Sequence, residues 1–363
     1  MSKIDFTSID SAQVVIPCGE LNETLEFFID KLSFSMKKIY PADSPRIAII
    51  SGFGVTLRLE ISDITTQSKL RLLSNDHAFV KKHDKGLVAP NGMLVEFEFL
   101  QKELIIPNVK PSFSVTNSKE KKEWKDGRAG MQYRDLVSDR LGGFFIASHI
   151  RILKGGPVSD YVHHHHIHFQ IIYCYKGWVR AVYEDQGPEI LMNQGDCVLQ
   201  PPHIRHQVLE CSDQFEVIEV CCPAEHDTMV DNNMELPTKD FKPERKFDGQ
   251  NFIFHKNSDS VWVKSKQDEF ESRDTGINKA TNGLINVIVT RPIKCSTTRV
   301  SKCNDAFVFT FVLQGQTSLN SDNQKVNHLT AGDSFIVPQG DTYILSQHSD
   351  NLELLEISCP ENY

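Results

Sequence analysis

Residues Tyr161 to Trp178 read YVHHHHIHFQIIYCYKGW, five histidines running into an aliphatic and aromatic stretch that closes on Gly177. On a β-strand successive side chains point to opposite faces, so histidines two apart share a face and lie roughly 7 Å apart along it. Such a pair can bracket one metal ion with imidazole lone pairs, and neutral imidazoles suit zinc, iron, copper and nickel. Either His163 with His165 or His164 with His166 can face inward, because alternation admits only one pair at a time. Downstream, Gly195-Asp196 and then Pro201, Pro202, His203, Ile204, Arg205 and His206 make a tight turn that delivers a further histidine on the next strand.

The runs around this stretch are short, β-branched and aromatic: Phe144 to Leu153, Ile171 to Tyr175, Val179 to Tyr183, Cys197 to Gln200 and Phe215 to Val220. Turn residues separate them, the pattern of an all-β barrel. The heptapeptide GDCVLQP from Gly195 has the shape of GDSFIVP from Gly332, which predicts two copies of one β-domain in tandem. The leading segment differs. Val14-Val15-Ile16 is followed by Glu20 to Leu32, with Leu21, Leu25, Phe28 and Leu32 at helical spacing, then by apolar runs at Arg46 to Ile50, Val55 to Leu59 and Leu94 to Phe99. That order is β-α-β-β-β. The polar stretches Ser118 to Asp126 and 231–250 separate the parts. The expected chain is therefore mainly β: an α+β domain over 1–112, a metal-binding barrel over 113–230, a linker over 231–250 and a second barrel over 251–363.

Composition agrees. The 363 residues correspond to two or three domains on a prior of about 150 residues each. A hydrophobic share of 40% and a charged share of 24% exclude wholesale disorder, collagen and coiled coil. The formal charge of -9, from 39 basic and 48 acidic residues, repels polyanions, so neither nucleic acid nor membrane is an expected partner and a small-molecule substrate is. The start, MSKIDFTSID, has no apolar h-region, and no apolar run approaches the ~18 residues of a membrane span, so a soluble, cytoplasmic chain is expected. Nine cysteines without C-x-x-C spacing read as reduced thiols.

The histidine stretch and the turn after it resemble the cupin family. Its first motif, G-x5-H-x-H-x(3,4)-E-x6-G, is matched by His163, His165 and Gly177, with Gln170 at the glutamate position and Gly156 one residue out of register. Its second, G-x5-P-x-G-x2-H, is matched by Gly195, Pro201 and His206, with His203 in the glycine place. The longer spacing of the first motif favours His163 and His165 over His164 and His166. The resemblance implies two double-stranded β-helix (jelly-roll) barrels, a bicupin. It also implies one divalent metal ion held by His163, His165, Gln170 and His206, Fe(II) first, with Zn, Mn or Ni as alternatives.

Family sites usually carry three histidines and one glutamate. Gln170 removes that carboxylate and leaves the metal more positive, which favours an anionic, chelating substrate. Cupins with three histidines and no carboxylate, such as the thiol, gentisate and β-diketone dioxygenases, bind Fe(II), substrate and O2 together. The resemblance thus implies a mononuclear Fe(II) dioxygenase acting on a small anionic metabolite. A redox-free isomerase, lyase or decarboxylase is the second reading, and a non-enzymatic binding or sensor barrel the third. Arg151, Tyr173, Trp178 and Arg205 are the substrate-binding candidates, with Arg180 and Glu219 beside them; a buried arginine would grip a carboxylate with two hydrogen bonds. No catalytic acid or base is nominated. Cys174 shares the parity of Gln170 and reads as packing. A homodimer is expected from the family.

Aligning Gly315 with Gly177 and Gly332 with Gly195 puts Ser301, Cys303, Val308 and Tyr343 at the ligand positions of the second barrel. With no histidine among them, a structural or dimer-forming role is expected there rather than a second ligand pocket. The leading domain resembles the glyoxalase and extradiol dioxygenase group, the vicinal oxygen chelate superfamily, through IPCGELNETLEFFIDKLSFSM, LRLE ending at Glu60, and PNGMLVEFEF containing Glu96. Its expected first histidine falls near Gln13 or Val14, so a ligand-binding or structural domain is anticipated, with Glu60 and Glu96 as the carboxylates at ligand positions.

Overall fold

Alternation along single strands lays out the larger part of the molecule. In the strand Phe169–Lys176 of this computed structural model, Phe169, Ile171, Tyr173 and Tyr175 enter one hydrophobic core, while Ile172 and Cys174 enter another on the opposite side. In Phe307–Gln314, Phe307, Phe309, Phe311 and Leu313 join that first core, and Val308 and Val312 face a third. Both strands are therefore apolar on both faces, as a sheet covered on two sides requires. The structure describes residues 7–360 except 32, 53, 64–68, 89–93, 101–103, 109, 121–122, 266–268, 295–296 and 322–325. The expected helical residue Leu32 lies outside these.

The chain divides into two compact units, Met1–Ile105 with His226–Asn233, and Ile106–Glu225 with Met234–Tyr363. The larger unit holds two barrels. Each has a large sheet: Ile253–His255, Cys197–Gln200, Phe169–Lys176, Phe215–Cys222, Ile146–Ile152, Gln132–Asp135 and Lys125–Asp126 in the first, and Val263–Lys264, Phe270–Asp274, Asn286–Pro292, Glu353–Cys359, Phe307–Gln314, Ser334–Pro338 and Ser114–Thr116 in the second. The smaller sheet facing the latter runs Arg299–Lys302, Thr342–Ser346, Gln316–Ser321, Asn327–Thr330. The large sheets share one core, in which Phe145 and Phe307 meet edge to face at 5.0 Å between ring centroids.

Two strands are exchanged between the barrels. Ser114–Thr116, expected in the first barrel, pairs with Ser334–Pro338 of the second, and Ile253–His255, expected in the second, pairs with Cys197–Gln200 of the first. Each covers a sheet edge that would otherwise present unpaired backbone groups. Both barrels turn through a left-handed glycine, Gly177 at φ 74° and Gly315 at φ 78°. A Cβ on Gly177 would lie 2.1 Å from Ser212 Oγ, so only glycine fits.

The smaller unit opens β-α-β-β-β, from Ser11–Cys18 through Leu21–Glu26 to Ser35–Tyr40, which was not among the expected strands, Ile47–Gly52 and Val55–Ile61, and it continues through Lys69–Ser74, the helix His77–Lys82 and Leu94–Phe99, the expected last strand of that order. Ser11–Cys18 lies parallel to Val55–Ile61, and Leu21 and Leu25 pack on Ala48, Ile50, Leu57 and Leu59. Asp227–Val230, expected in the first barrel, pairs here with Ser35–Tyr40. Glu96 accepts hydrogen bonds from Lys69 at 3.0 Å and Arg71 at 2.7 Å, and Glu60 accepts from Arg58 at 3.3 Å. Burial alone would raise the Glu96 carboxyl, but those two cations hold it below its ordinary value. Among the described residues this unit has no cluster able to hold a metal, and no helix is long and apolar enough to cross a membrane.

Candidate metal centre

The strand His163–His166 lies antiparallel to His206–Cys211, with His163 directly opposite His206. The turn before His206 demands a left-handed residue at the motif's glycine place, and His203 supplies it at φ 63°. His163 is fully buried and His165 and His206 are 4% exposed. His164 and His166 point the other way, their rings 5.7 and 5.2 Å from that of His203. The structure thus adopts the His163 and His165 register.

Two of the three inward rings are oriented by their own strands. His163 Nδ1 lies 2.7 Å from Tyr161 O, and His206 Nδ1 lies 3.0 Å from Ile204 O. Each Nδ1–H donates to a carbonyl, which leaves the Nε2 lone pair pointing inward. Burial pushes the His206 imidazolium down to about 4 and His163 well below its ordinary value, so both are neutral at pH 7. Among the described residues His163, His165 and His206 form the one cluster able to hold a metal, with ligand nitrogens within 4.8 Å of one another.

Gln170, 2% exposed, lines the same cavity as His165 and His206. Its Nε2 donates to Glu219 Oε1 at 2.8 Å, which fixes the amide orientation, and its Oε1 has no hydrogen-bond partner among the described residues. A buried carbonyl without a donor costs about 1–3 kcal/mol, and a cation beside it would remove that cost. The donor set therefore fits a divalent metal.

Arg128 was not foreseen. It opens a short 3-10 turn, Arg128–Gly130, in which Ala129 takes φ 53°. Its Nη1 donates to Asp160 Oδ1 at 2.5 Å and its Nη2 to His163 Nε2 at 2.7 Å. The Asp160 side chain is wholly buried and also accepts from Val208 N at 3.0 Å. The guanidinium thus occupies the His163 lone pair that a metal would take, and ligation by His163 requires this bond to be exchanged. The sequence signal is slight: one arginine in Gly127-Arg128-Ala129-Gly130.

The cavity has a volume of about 70 Å³. Arg128, His165, Gln170, Gln200, His206 and Glu219 line its polar side, and Met131, Ile150, Ile152, Ile172, Val179 and Val208 much of the apolar one. Arg151, Tyr173, Trp178 and Arg205, expected to bind substrate, do not line it. Each is one residue out of phase with a lining neighbour: Arg151 with Ile150 and Ile152, Tyr173 with Ile172, Trp178 with Val179, Arg205 with His206. Arg151 stacks on Trp124 at 3.9 Å, Tyr173 accepts from buried Arg273 at 2.9 Å, and Arg205 lies 3.6 Å from Glu184. Arg180 pairs with Glu189 at 3.4 Å outside the barrel. Cys174 is buried packing, its thiol pushed up to about 12 by burial.

No protein-family model matches the sequence, and no curated protein matches it. Solved structures do. The oxalate decarboxylase of Lactobacillus farciminis in its formate complex matches 71% of this chain and 88% of its own at 14% identity, with a TM-score of 0.51. The oxalate decarboxylase of Bacillus subtilis matches 69% of this chain and 76% of its own at 12% identity, with a TM-score of 0.50. At such identities the likeness speaks to fold. Two jelly-roll barrels in tandem, turning through matched glycines and overlaid by structures of the same two-barrel design, make this chain a bicupin by fold.

Proposed function

We propose that the first barrel is the active site of a metal-dependent enzyme for a small carboxylate, cleaving a carbon–carbon bond without net redox change, as a decarboxylase or other lyase does. The observation that carries this reading is the meeting of neutral imidazoles, an unpaired amide oxygen and a buried guanidinium at one cavity. His163, His165 and His206 through Nε2, and Gln170 through Oε1, would hold one divalent ion. When bound, that ion supplies Lewis-acid charge to polarise a carboxylate and stabilise negative charge.

The chain's own residues supply the rest. Arg128, released from His163, has a planar fork suited to a carboxylate, so one arm of the substrate meets a cation that the protein provides. Glu219 lines the cavity and takes a hydrogen bond from Gln170; it is the carboxylate available to hold or return a proton. The apolar wall excludes water, which strengthens every charge interaction inside. Size limits the substrate: about 70 Å³, at roughly 10–15 Å³ of such space per water, admits a molecule of few heavy atoms. An oxalate-sized dianion meets that limit, and the two-barrel relatives named above include oxalate decarboxylases.

Neutral Gln170 favours a second reading, Fe(II)-dependent dioxygenation of the same class of anion. Three imidazoles accept Fe(II), Mn, Zn or Ni. The protein is taken as a cytoplasmic homodimer acting on a small molecule, with neither nucleic acid nor membrane as partner. The test is the metal content of tag-free protein beside His163→Ala/His165→Ala, followed by turnover of oxalate and related dianions with CO2 and O2 both measured. About one equivalent of metal lost in the variant, with CO2 released and no stoichiometric O2 uptake, supports the lyase. Stoichiometric O2 uptake moves the assignment to a dioxygenase, metal without turnover to a binding barrel, and no metal in either protein refutes the site.

A further inference from the structure

The second barrel keeps the register of the first. In the first, His163 faces His206 and Ile172 faces Glu219; in the second, Ser301 faces Tyr343 and Thr310 faces Glu356. Ser301, Cys303, Val308 and Tyr343 therefore stand where His163, His165, Gln170 and His206 do, and Glu356 where Glu219 does. The four, with Glu356, line one cavity of about 530 Å³. That is several times the 70 Å³ of the first barrel and inside the ~300–1,000 Å³ range of small-molecule sites. A barrel retained for packing alone fills to the density of a protein interior; this one has lost its histidines and stayed open.

The charges in the cavity balance. Arg299, two residues before Ser301, forms a two-pronged ion pair with buried Glu356, Nη2 lying 3.2 Å from Oε2 and Nη1 contacting Oε1, while its Nε donates to Ser301 Oγ at 3.1 Å. Thr290 Oγ1 donates to the same carboxylate at 2.8 Å. The guanidinium is thus directed at protein acceptors and offers no fork to an anion, and the carboxylate is taken. Lys302 and Asp305 add one charge of each sign. Burial pushes the Tyr343 phenol up to about 12 and the Cys303 thiol up to about 11, so both are neutral at pH 7. Among the described residues the side chains of Asn286, Asn304 and Ser358, which also line the cavity, make no hydrogen bond within the protein. Hydroxyls and amides both donate and accept, so the lining matches a ligand whose groups do the same.

We infer that the second barrel is a metal-independent binding site for a small uncharged polyhydroxy compound of about monosaccharide size. This does not depend on the activity assigned to the first barrel. The test uses the full chain, stripped of metal, with myo-inositol, D-glucose and D-galactose as neutral probes and gluconate and glucosamine as charged counterparts, read by saturation-transfer NMR and thermal shift. The expected result is saturable binding of at least one neutral probe, weaker binding of the charged ones, loss in Val308→Trp, which puts an indole into the cavity beside Ser301 and Tyr343, and retention in His206→Ala. Absence of binding by every neutral probe, stronger binding of a charged one, survival in Val308→Trp or loss in His206→Ala overturns the inference. Should Val308→Trp fail to fold by circular dichroism, Asn286→Leu is read in its place: loss of binding supports the site and unchanged binding overturns it.

Discussion

Replacing Arg128 by methionine tests whether the guanidinium, rather than the imidazole cluster alone, organises the first barrel. Asp160 has no exposed side-chain surface, and after the change its carboxylate keeps one donor among the described residues, Val208 N at 3.0 Å. A buried charge that loses its partner costs about 3–5 kcal/mol, and His163 Nε2 loses its donor as well. The metal-stripped Arg128→Met protein should therefore unfold about 3 kcal/mol or more below wild type. Adding Asp160→Asn removes the stranded charge and should recover more than half of that loss. The assay is urea unfolding of the four members of the cycle, with fluorescence and circular dichroism compared because a chain of two units need not unfold in one step. Metal gives the second arm. With His163 Nε2 freed, Arg128→Met should bind a divalent ion more tightly than wild type, and saturating ion at about 100 times its Kd should restore about 2.7 kcal/mol. An Arg128→Met protein within about 1 kcal/mol of wild type, or a double variant as unstable as the single, refutes the account.

Other outcomes follow from neighbouring residues. Gln170→Glu should weaken the metal-stripped fold, because a carboxylate replaces the amide that donates to Glu219 at 2.8 Å, and strengthen divalent-metal binding by calorimetry; unchanged affinity would remove Gln170 from the ligand set. Acid should destabilise the larger unit from about pH 6.5 downward. His149 accepts from Arg134 at 2.8 Å and its other ring nitrogen lies 2.6 Å from Glu216, a neutral imidazole whose pKa burial lowers from 6.5. The unfolded chain therefore takes up the proton first, and stability falls as pH drops below 6.5. Burial would raise the Glu216 carboxyl, but His149 and Lys176 hold it below 4.5, so its contribution is full above that pH and is lost as pH falls through the folded value. Urea midpoints between pH 7.5 and 4 should decline in wild type and start to decline later in His149→Gln. Gly177→Ala should lower the unfolding free energy measured in urea by more than the ~1–2 kcal/mol of a left-handed backbone alone, because its Cβ would meet Ser212 Oγ at 2.1 Å.

The cluster of three inward histidines was legible because their spacing is local. Alternation brings His163 and His165 to one face, and a short turn returns His206 opposite His163, so three positions in the sequence fix three positions in space. The flanking residues were not legible for the same geometric reason turned round. Phe169–Lys176 is apolar on both faces, since one faces the barrel interior and the other the core shared with the second barrel. With no polar face to mark the outside, Tyr173 reads as plausibly inward as Ile172, and a one-residue slip reverses every side chain. Arg151 and Trp178 failed by that single step. Arg128 was missed for another reason: it enters from the short turn between Lys125–Asp126 and Gln132–Asp135, and its partners Asp160 and His163 are far off in sequence.

Both barrels descend from the same local pattern, and the sequence marks the second by its missing histidines. What that loss means could not be read from ligand positions alone, because Ser301, Cys303, Val308 and Tyr343 are equally suited to a filled interior and to an open one. The difference lies in Arg299 and Glu356. Their ion pair supplies within the protein the opposite charge that a metal would otherwise bring to a buried carboxylate, and it leaves the rest of the lining charge-balanced, with Lys302 and Asp305 contributing one charge of each sign. In the first barrel Glu219 accepts from the neutral amide of Gln170, and Arg128 donates to Asp160 and His163, so its carboxylate meets an amide where that of the second barrel meets a guanidinium. One fold thus carries two settings for the carboxylate at this strand position, hydrogen-bonded to the Gln170 amide in the first barrel and paired with the Arg299 guanidinium in the second.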